Sequence, residues 1–538
     1  MAPFWAPALP STFAVVVVLV YRRAILPTIW RLCRFAFGTA LLLLTTFTTW
    51  MHGITSRRQQ QRQGSKVAVL GGGIAGFGCA HALCNGGGSV DLFEACDEVG
   101  GNAKTHKWPD GPVTGLSVLA WPKTYFRNYG ALLKRLGLET RAVTLKFFLR
   151  RRRDGEAFVH GRDSELSRRY ADDFRRWGRA VEFVRSCNRY FAASDVQSLY
   201  HFSLFNPMNV LPLRWLCALY GISSGFWQEI ITPLHCTTFL TTSLDDVPAL
   251  VVPTISDLIP LDETPTLESW VGSSRQVFDG IAHAAGAKLA VHTGCAVERV
   301  RQEPDGTWTL VVRRPDGTVA TFGGYARVVF ASNAPNAAAA LPSSWAWWGV
   351  RLLLGAVEYS DATCPMFRVG VIHSDASVFP ADARDEVCAS CCNYIEGYQA
   401  APGDPPAFEN TFVLSSWYPS VWRAPGDERP IEGDGRPRLV SYGLRDPGSI
   451  KGALGEVHNR TNHPALSPLF LATSMLLRLV QGREGVYFCG SMATPGNGHD
   501  LSLCSGLAIA AAIGAPYPFP ENEEAADDLA RLRRILGV

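Results

Sequence analysis

"KVAVLGGGIAGFGCAHALCNGGGSVDLFEACDEVGGNAKTH", Lys66 to His106, is the stretch whose reading decides the fold. It opens on a short β-branched run, Lys66 to Leu70, that reads as a strand. Glycines follow at the spacing Gly71-x-Gly73-x-x-Gly76, then a predicted helix with Ala and Cys at close-packing positions and a second strand ending in Glu94. Each glycine meets a physical need: a tight turn at Gly71, close approach of backbone to a pyrophosphate at Gly73, and helix-on-strand packing at Gly76. The helix start at Ile74 and Ala75 presents unpaired N–H groups and the positive end of the helix dipole. Glu94, 18 residues after Gly76, is placed to accept hydrogen bonds from ribose hydroxyls. A glycine turn of purely structural purpose would not need strand, helix and acid in this order.

After Glu94 come Ala95, four more residues, and Gly100-Gly101-Asn102. This E-x(5)-GG extension resembles the one in the FAD-binding members of the flavin-containing amine oxidase / phytoene desaturase superfamily. The resemblance implies that the two glycines let the chain pass near the pyrophosphate and ribityl chain. FAD, not a nicotinamide coenzyme, is then the expected ligand. Many amine oxidases continue the pair with Arg. Asn102 puts a neutral hydrogen-bonding group there instead, with Lys104 nearby to restore part of the charge.

Further segments resemble the superfamily in the order it requires. Residues 268–335 read as a Gly-Ser turn at Gly272 to Ser274, a helix, a strand near Cys295 to Val300, and a β-meander with turns at Asp305-Gly306 and Asp316-Gly317. In that resemblance the backbone of Val297 meets the adenine ring. Near the C-terminus a strand (Val486 to Cys489), Gly490, Ser491 and a glycine-rich loop lead into a helix expected to begin near Leu503-Cys504-Ser505-Gly506. This is similar to the superfamily's terminal flavin motif, in which helix N–H groups stabilise negative charge on the reduced ring. Ser491 stands where relatives often carry an acid. Closer still is the resemblance to predicted FAD/NAD(P)-binding oxidoreductases associated with cyclopropane-fatty-acyl synthases, carried by "TYFRNYGALLKRLGLET" (124–140), "VIHSDASVFP" (371–380), "CASCCNY" (388–394) and "NHPALSP" (462–468).

The chain of 538 residues has room for two or three domains, and a formal net charge of +3 argues against a nucleic-acid partner. Its 14 cysteines are scattered, without the spacing of a disulfide framework, and read mostly as buried thiols. Residues 1–66 contain no Asp or Glu and eight Lys or Arg, with an uncharged run from Phe35 to Ile54. About 20 such residues can span a bilayer, so a transmembrane helix is expected at 35–54, with a cleaved presequence or a buried N-terminus as the alternatives. Basic residues flank both ends, which leaves orientation open. The shorter run Thr12 to Tyr21 reads as interfacial or as part of a targeting signal.

Several groups invite a catalytic reading. His499 and Asp500 sit just before the expected flavin-edge helix, either as an acid/base pair or as a helix cap beside a packed ring. His373 and Asp375 share one face of a predicted strand, as pocket residues or as a satisfied core pair. Cys388, Cys391 and Cys392 have CxxC spacing but no second ligand pair nearby, so no metal site is expected. Arg150 to Arg153 read as an exposed hairpin tip able to meet anionic headgroups, and Asn459-Arg460-Thr461 is a glycosylation sequon.

The expected architecture is an α/β flavoprotein with a Rossmann-type FAD-binding domain and β-meander from 65–110, 265–335 and 480–515. An α+β substrate domain would come from 111–264 and 336–479, a membrane anchor and linker from 1–64, and a tail from 516–538. The resemblance implies a membrane-anchored oxidoreductase that moves a hydride from an amine or lipid-like substrate to flavin N5. Redox-neutral isomerisation of an unsaturated lipid or carotenoid, or a non-catalytic FAD-binding module, are the alternatives. The sequence holds no second strand-GxGxxG-helix unit for NADPH, so electrons are expected to leave to oxygen, a quinone or another acceptor.

Overall fold

The computed structural model describes residues 33, 35–44, 46 and 66–538, apart from 193–198, 204, 240–242, 252–255, 257–259, 262, 360–368, 399–406, 419–432, 445 and 459–462. Strands β1 (Val67–Leu70), β2 (Val90–Phe93), β9 (Leu289–His292), β13 (Arg327–Phe330) and β19 (Val486–Phe488) form a parallel sheet in the order β19-β13-β1-β2-β9. All of β1 and β2 is buried, as a parallel sheet covered on both faces demands. The one acid in these two strands, Asp91, is matched by Lys66 at 2.6 Å and by the Tyr325 hydroxyl. Leu70 stands opposite Phe93 and Phe330, and Phe330 opposite Phe488, so the carboxyl ends of four strands are flush. From β1 the chain reaches β2 on one side, and β13 lies on the other. That switch point opens a crevice above Leu70.

Helix α1 (Ile74–Asn85) descends from the crevice with every residue but its last buried, and α6 (His499–Ile513) packs along it. Both are apolar all round, as central helices are. A three-stranded antiparallel meander, β10 (Ala296–Gln302), β11 (Trp308–Arg313) and β12 (Val319–Tyr325), follows β9. Its turns place Gly306 and Gly317 at φ +80°.

The second large sheet has the order β18-β14-β17-β16-β15-β6-β7, built from β6 (Phe147–Arg151), β7 (Ala157–Val159), β14 (Val369–His373), β15 (Asn393–Tyr398), β16 (Ala407–Val413), β17 (Leu439–Tyr442) and β18 (Gly455–His458). Alternation splits its faces. Ile372, Ile395, Val440 and Tyr442 join the core shared with the parallel sheet. Phe148, Tyr394, Val413 and Leu439 form a separate core under α5 (Arg384–Ser390). Two small sheets, β3 (Thr105–Lys107) with β4 (Val113–Gly115) and β5 (Thr140–Thr144) with β8 (Thr266–Trp270), lie between. Helix α3 (Leu213–Leu219) buries Leu213, Leu216 and Cys217 and turns Trp215 and Leu219 outward.

Three sequence expectations change. Within residues 111–144, assigned to the substrate domain, β5 pairs with β8, and α2 (Arg127–Arg135) packs on α6 and on α7 (Glu523–Leu536). This stretch therefore lies against the parallel-sheet body. The expected tail 516–538 carries α7, capped by Asn522 and held by buried Leu529, Leu532 and Leu536. Residues 35–44 are helical, but Leu41 and Leu42 are buried, and Gly38 lies against Leu352 of α4 (Trp345–Leu354). Among the described residues no helix is long and apolar enough to cross a membrane. Residues 45 and 47–54, the run 12–21 and the sequon at 459–461 lie outside them.

Candidate functional site

The crevice is lined by the glycine turn. At Gly71 φ is +124°, and a Cβ there would lie 2.6 Å from the Ala331 carbonyl oxygen. A Cβ on Gly76 would lie 2.0 Å from the Gly71 oxygen, so any side chain at either position would displace backbone. Gly73 differs: the nearest atom to its Cβ position is Gly101 Cα at 3.9 Å. Packing does not require that glycine, and open room above it suits a ligand's approach. Gly73 also N-caps α1 without a side-chain hydrogen bond, which leaves the amides of Ile74, Ala75 and Gly76 uncapped by any side chain.

The acid and the glycine pair close over this turn. The Gly72 amide donates to Glu94 Oε2 at 2.7 Å and the Cys96 amide to Oε1 at 2.9 Å. Each carboxylate oxygen keeps a second acceptor position. The Gly100 amide donates to the Gly72 oxygen at 2.9 Å, and a Cβ on Gly101, at φ +58°, would lie 3.1 Å from Gly73 Cα. Residues 94–101 thus fold back as a second glycine layer beside the first, with Ala95 exposed. The Cys295 amide donates to the Glu94 backbone carbonyl oxygen at 2.7 Å, which brings the start of β10, and with it Val297, to the same place.

From the other side, a Cβ on Gly490 would lie 3.4 Å from Ala75 Cβ, and the Gly490 amide donates to Ser505 Oγ at 2.8 Å. Ser491 begins a short 3-10 turn. The helix expected near Leu503 to Gly506 starts at His499. Its uncapped amides therefore belong to His499, Asp500 and Leu501. Leu503 and Gly506 serve packing instead: Leu503 Cδ1 would lie 2.5 Å from a Cβ on Gly78, and a Cβ on Gly506 would lie 2.1 Å from the Ala75 oxygen. Cys504 is a buried thiol raised well above its ordinary pKa by burial. Ser505 positions Gly490.

Asp500 caps another helix, not its own. Its Oδ1 accepts from the Tyr129 amide at 2.5 Å in the first turn of α2, and its Oδ2 from the Tyr200 hydroxyl. Burial raises its pKa to about 7. His499 places its ring edge-on to Tyr129 at 4.8 Å, and burial, with His463 adding to it, lowers its pKa to about 3. His463 itself is lowered by burial to about 4, and its Nε2 lies 3.3 Å from Asn102 Nδ2. Asn497 donates to the Pro464 oxygen at 3.1 Å while its buried Oδ1 has no partner among the described residues. Beside the second glycine layer sits a polar cluster that is uncharged at neutral pH: Asn102, His463, Asn497 and His499. Sequence reasoning missed His463 and Asn497 as site residues; the "NHPALSP" motif contains the histidine, but no spacing rule ties it to Asn102.

Other candidates lie elsewhere. His373 Nε2 meets Ser441 Oγ at 2.8 Å, and its Nδ1 accepts from the Asp375 amide at 3.2 Å. Asp375 accepts from the Ser377 and Lys451 amides, so this is a satisfied structural pair. Cys388, Cys391 and Cys392 are buried free thiols raised by burial to about 12, 11 and 12. Among the described residues no group of three His, Cys, Asp or Glu could hold a metal. The expected basic hairpin tip is largely neutralised from within: Arg151 is buried against Asp154, Glu156 and Glu229, Arg152 meets Glu396, and Arg153 meets Glu229. A hollow of about 470 Å³ beside Lys146, His160 and Arg162 contains none of the crevice residues.

Comparisons with known proteins bear on the fold. Residues 69–136 match the family of NAD(P)-binding Rossmann-like domains. A 117-residue segment is 32% identical to achacin from Lissachatina fulica, covering 20% of this chain and 22% of achacin. The chain therefore spans about a fifth of that relative. Among solved structures, a CLA-producing fatty acid isomerase from P. acnes superposes with a TM-score of 0.52 at 14% identity, covering 82% of this chain and 97% of the isomerase. Putrescine oxidase bound to putrescine gives 0.53 at 14% identity, covering 84% and 100%. Reduced UDP-galactopyranose mutase gives 0.52 at 12%, covering 88% and 98%. The chain has the Rossmann-like α/β fold of these proteins, the fold of the superfamily its motifs resemble.

Proposed function

We propose that this chain is an FAD-dependent oxidoreductase of amine oxidase-like type. The observation that carries the reading is the double glycine layer, in which Gly100 donates to the Gly72 oxygen and Gly101 abuts Gly73. A nicotinamide site needs only the first layer. Gly73 and the amides of Ile74, Ala75 and Gly76 would hold the pyrophosphate, Glu94 the ribose, and Val297 the adenine. Gly490, Ser491 and the start of α6 would hold the ribityl chain and the flavin's pyrimidine edge. When bound, FAD supplies a ring that accepts a hydride at N5.

His463 and His499, both neutral at pH 7, are the groups able to hold or move a proton there. The cluster around them carries no formal charge, which suits a neutral or apolar organic substrate. The test is purification, a visible spectrum and chromatography of the released cofactor. A flavin spectrum with FAD released is expected; a colourless protein that FAD cannot reconstitute sinks the reading.

A second reading is redox-neutral isomerisation of an unsaturated lipid. Its support is the superposition on the fatty acid isomerase over 97% of that chain. Anaerobic incubation with substrate separates the two: a dehydrogenase bleaches the flavin stoichiometrically, whereas an isomerase turns over without net bleaching. In this reading either activity would work at a membrane. The support is the acid-free, basic and apolar segment 1–66, and flotation of the protein with vesicles tests it.

A further inference from the structure

The helix formed by residues 35–44 does not stand apart from the body. It crosses α4 glycine against glycine: a Cβ on Gly349 would lie 2.7 Å from the Leu42 amide nitrogen and 3.0 Å from the Gly38 oxygen. One on Gly38 would lie 3.1 Å from Leu352 Cβ. Such contact is available only where small residues let two backbones close up. Arg483 fastens both partners, donating to the Ala346 oxygen at 2.7 Å and to Thr46 Oγ1 at 2.9 Å. Leu41 and Leu42 fill the seam.

With that face used, the opposite face of the helix should be polar in a protein surrounded only by water. It is not. The exposed positions 33, 36, 37, 40, 43 and 44 recur at helical spacing and are Cys, Ala, Phe, Ala, Leu and Leu. On α4, Trp345 and Trp348 are 54% and 49% exposed with ring centroids 6.3 Å apart. Trp348 is one turn from Leu352, which faces Gly38, so the two outward faces join at the seam. Within residues 35–44 and α4 the one charge is Arg351, which is turned to the Leu341 oxygen and Ser343.

The sequence identifies the occupant. The uncharged run continues through Ile54, and residues 1–66 hold eight basic residues and no acid, which favours an anionic lipid surface over an acid-poor protein partner. Tryptophan is the side chain of the headgroup layer. A span needs about 20 residues free to meet lipid, and half of this run is docked on the body.

We propose that the helix at 35–44 and α4 together form a membrane-docking face that seats the protein on an anionic bilayer surface, with Trp345 and Trp348 at headgroup level. This rests on the membrane reading above and replaces a tether by a rigid contact. The test is flotation of the full chain with phosphatidylcholine vesicles, with and without phosphatidylglycerol. Wild type is expected to float with the mixed vesicles and to be released by alkaline carbonate. Trp345→Ser with Trp348→Ser should weaken partition by about tenfold without changing the melting temperature. Trp215→Ser, at a site 66% exposed on α3, should leave partition unchanged.

Wild type that binds while the double variant binds equally well, or a Trp215→Ser loss as large, overturns this face but not membrane attachment. Retention after carbonate treatment restores a spanning segment and overturns surface seating. A wild-type dimer that the double variant dissociates assigns the face to a second copy and overturns the proposal. Failure of wild type to bind either vesicle removes the membrane reading itself.

Discussion

Asn102 Nδ2 lies 3.3 Å from His463 Nε2, a contact across 361 residues that joins the second glycine layer to the segment before α6. Burial keeps His463 neutral, with a pKa near 4, so its Nε2 is free to accept that hydrogen bond. An uncharged amide is therefore the natural partner. Asn102→Asp adds a negative charge beside the place assigned to the pyrophosphate. FAD affinity should fall about tenfold or more, and lower pH should restore part of it as the new carboxylate draws a proton onto His463. Fluorescence titration at several pH values checks this; tight, pH-independent binding would place Asn102 away from the phosphates.

Glu94 holds two backbone amides at 2.7 and 2.9 Å. Glu94→Gln turns one acceptor into a donor, so its remaining oxygen can serve the partly buried Gly72 amide or the exposed Cys96 amide but not both. The cost of the lost charge-assisted hydrogen bond is about 1 kcal/mol. Apoprotein melting temperature and FAD occupancy should both drop. A fall in occupancy alone would restrict Glu94 to ligand contact.

Gly506 distinguishes packing from cofactor contact. A Cβ at this position would lie 2.1 Å from the Ala75 oxygen and 2.9 Å from the Cys79 amide nitrogen, with backbone on both sides. Gly506→Ala must drive α6 and α1 apart, at a cost of about 3 kcal/mol, within the range of severe overpacking. The expected result is a lowered melting temperature in apoprotein and holoprotein alike. Normal apoprotein stability with weakened FAD binding would return Gly506 to the cofactor.

The parts of the fold legible in the sequence are those where local chemistry suffices. Lys66 to Glu94 is strand, turn, helix and strand in one continuous stretch, and each glycine has a reason visible in its neighbours. The start of α6 was not legible: Gly498 caps it without a side-chain bond, and the helix is apolar all round, so neither a cap residue nor a periodicity marks His499 as its first residue. Asp500 resembles a cap for that helix, yet it serves α2, 371 residues away in sequence. The arginines at 150–153 resemble an exposed patch until Glu229, 78 residues beyond Arg151, is folded against them. Such pairings depend on tertiary distance, which spacing does not encode. The helix at 35–44 is ambiguous for another reason: an apolar run long enough to span a bilayer is also suited to packing on an apolar helix.

Asp500 carries a pH signature. Burial raises its folded pKa to about 7 from 3.8, with Asp528 adding to the rise and Arg127 opposing it. The folded state therefore binds this proton more tightly than the unfolded chain does. The contribution to stability is full below pH 3.8 and is lost as pH rises through about 7. His463 and His499 act in the opposite sense: their folded values of about 4 and 3 lie below the ordinary 6.5, so their contribution is present above pH 6.5 and lost as pH falls. Both histidines are common to wild type and Asp500→Asn, so their contributions cancel in the difference between the two. Asp500→Asn keeps an oxygen for the Tyr129 amide and has no charge to bury. Its melting temperature relative to wild type should be higher at pH 8 than at pH 5, by an amount equivalent to about 1–3 kcal/mol. Asp500→Ala, which removes the cap, should be destabilised at both pH values. A difference between Asp500→Asn and wild type that does not change with pH would show that the carboxyl is already ionised in the folded protein, and that Tyr129 and Tyr200 hold it as a carboxylate.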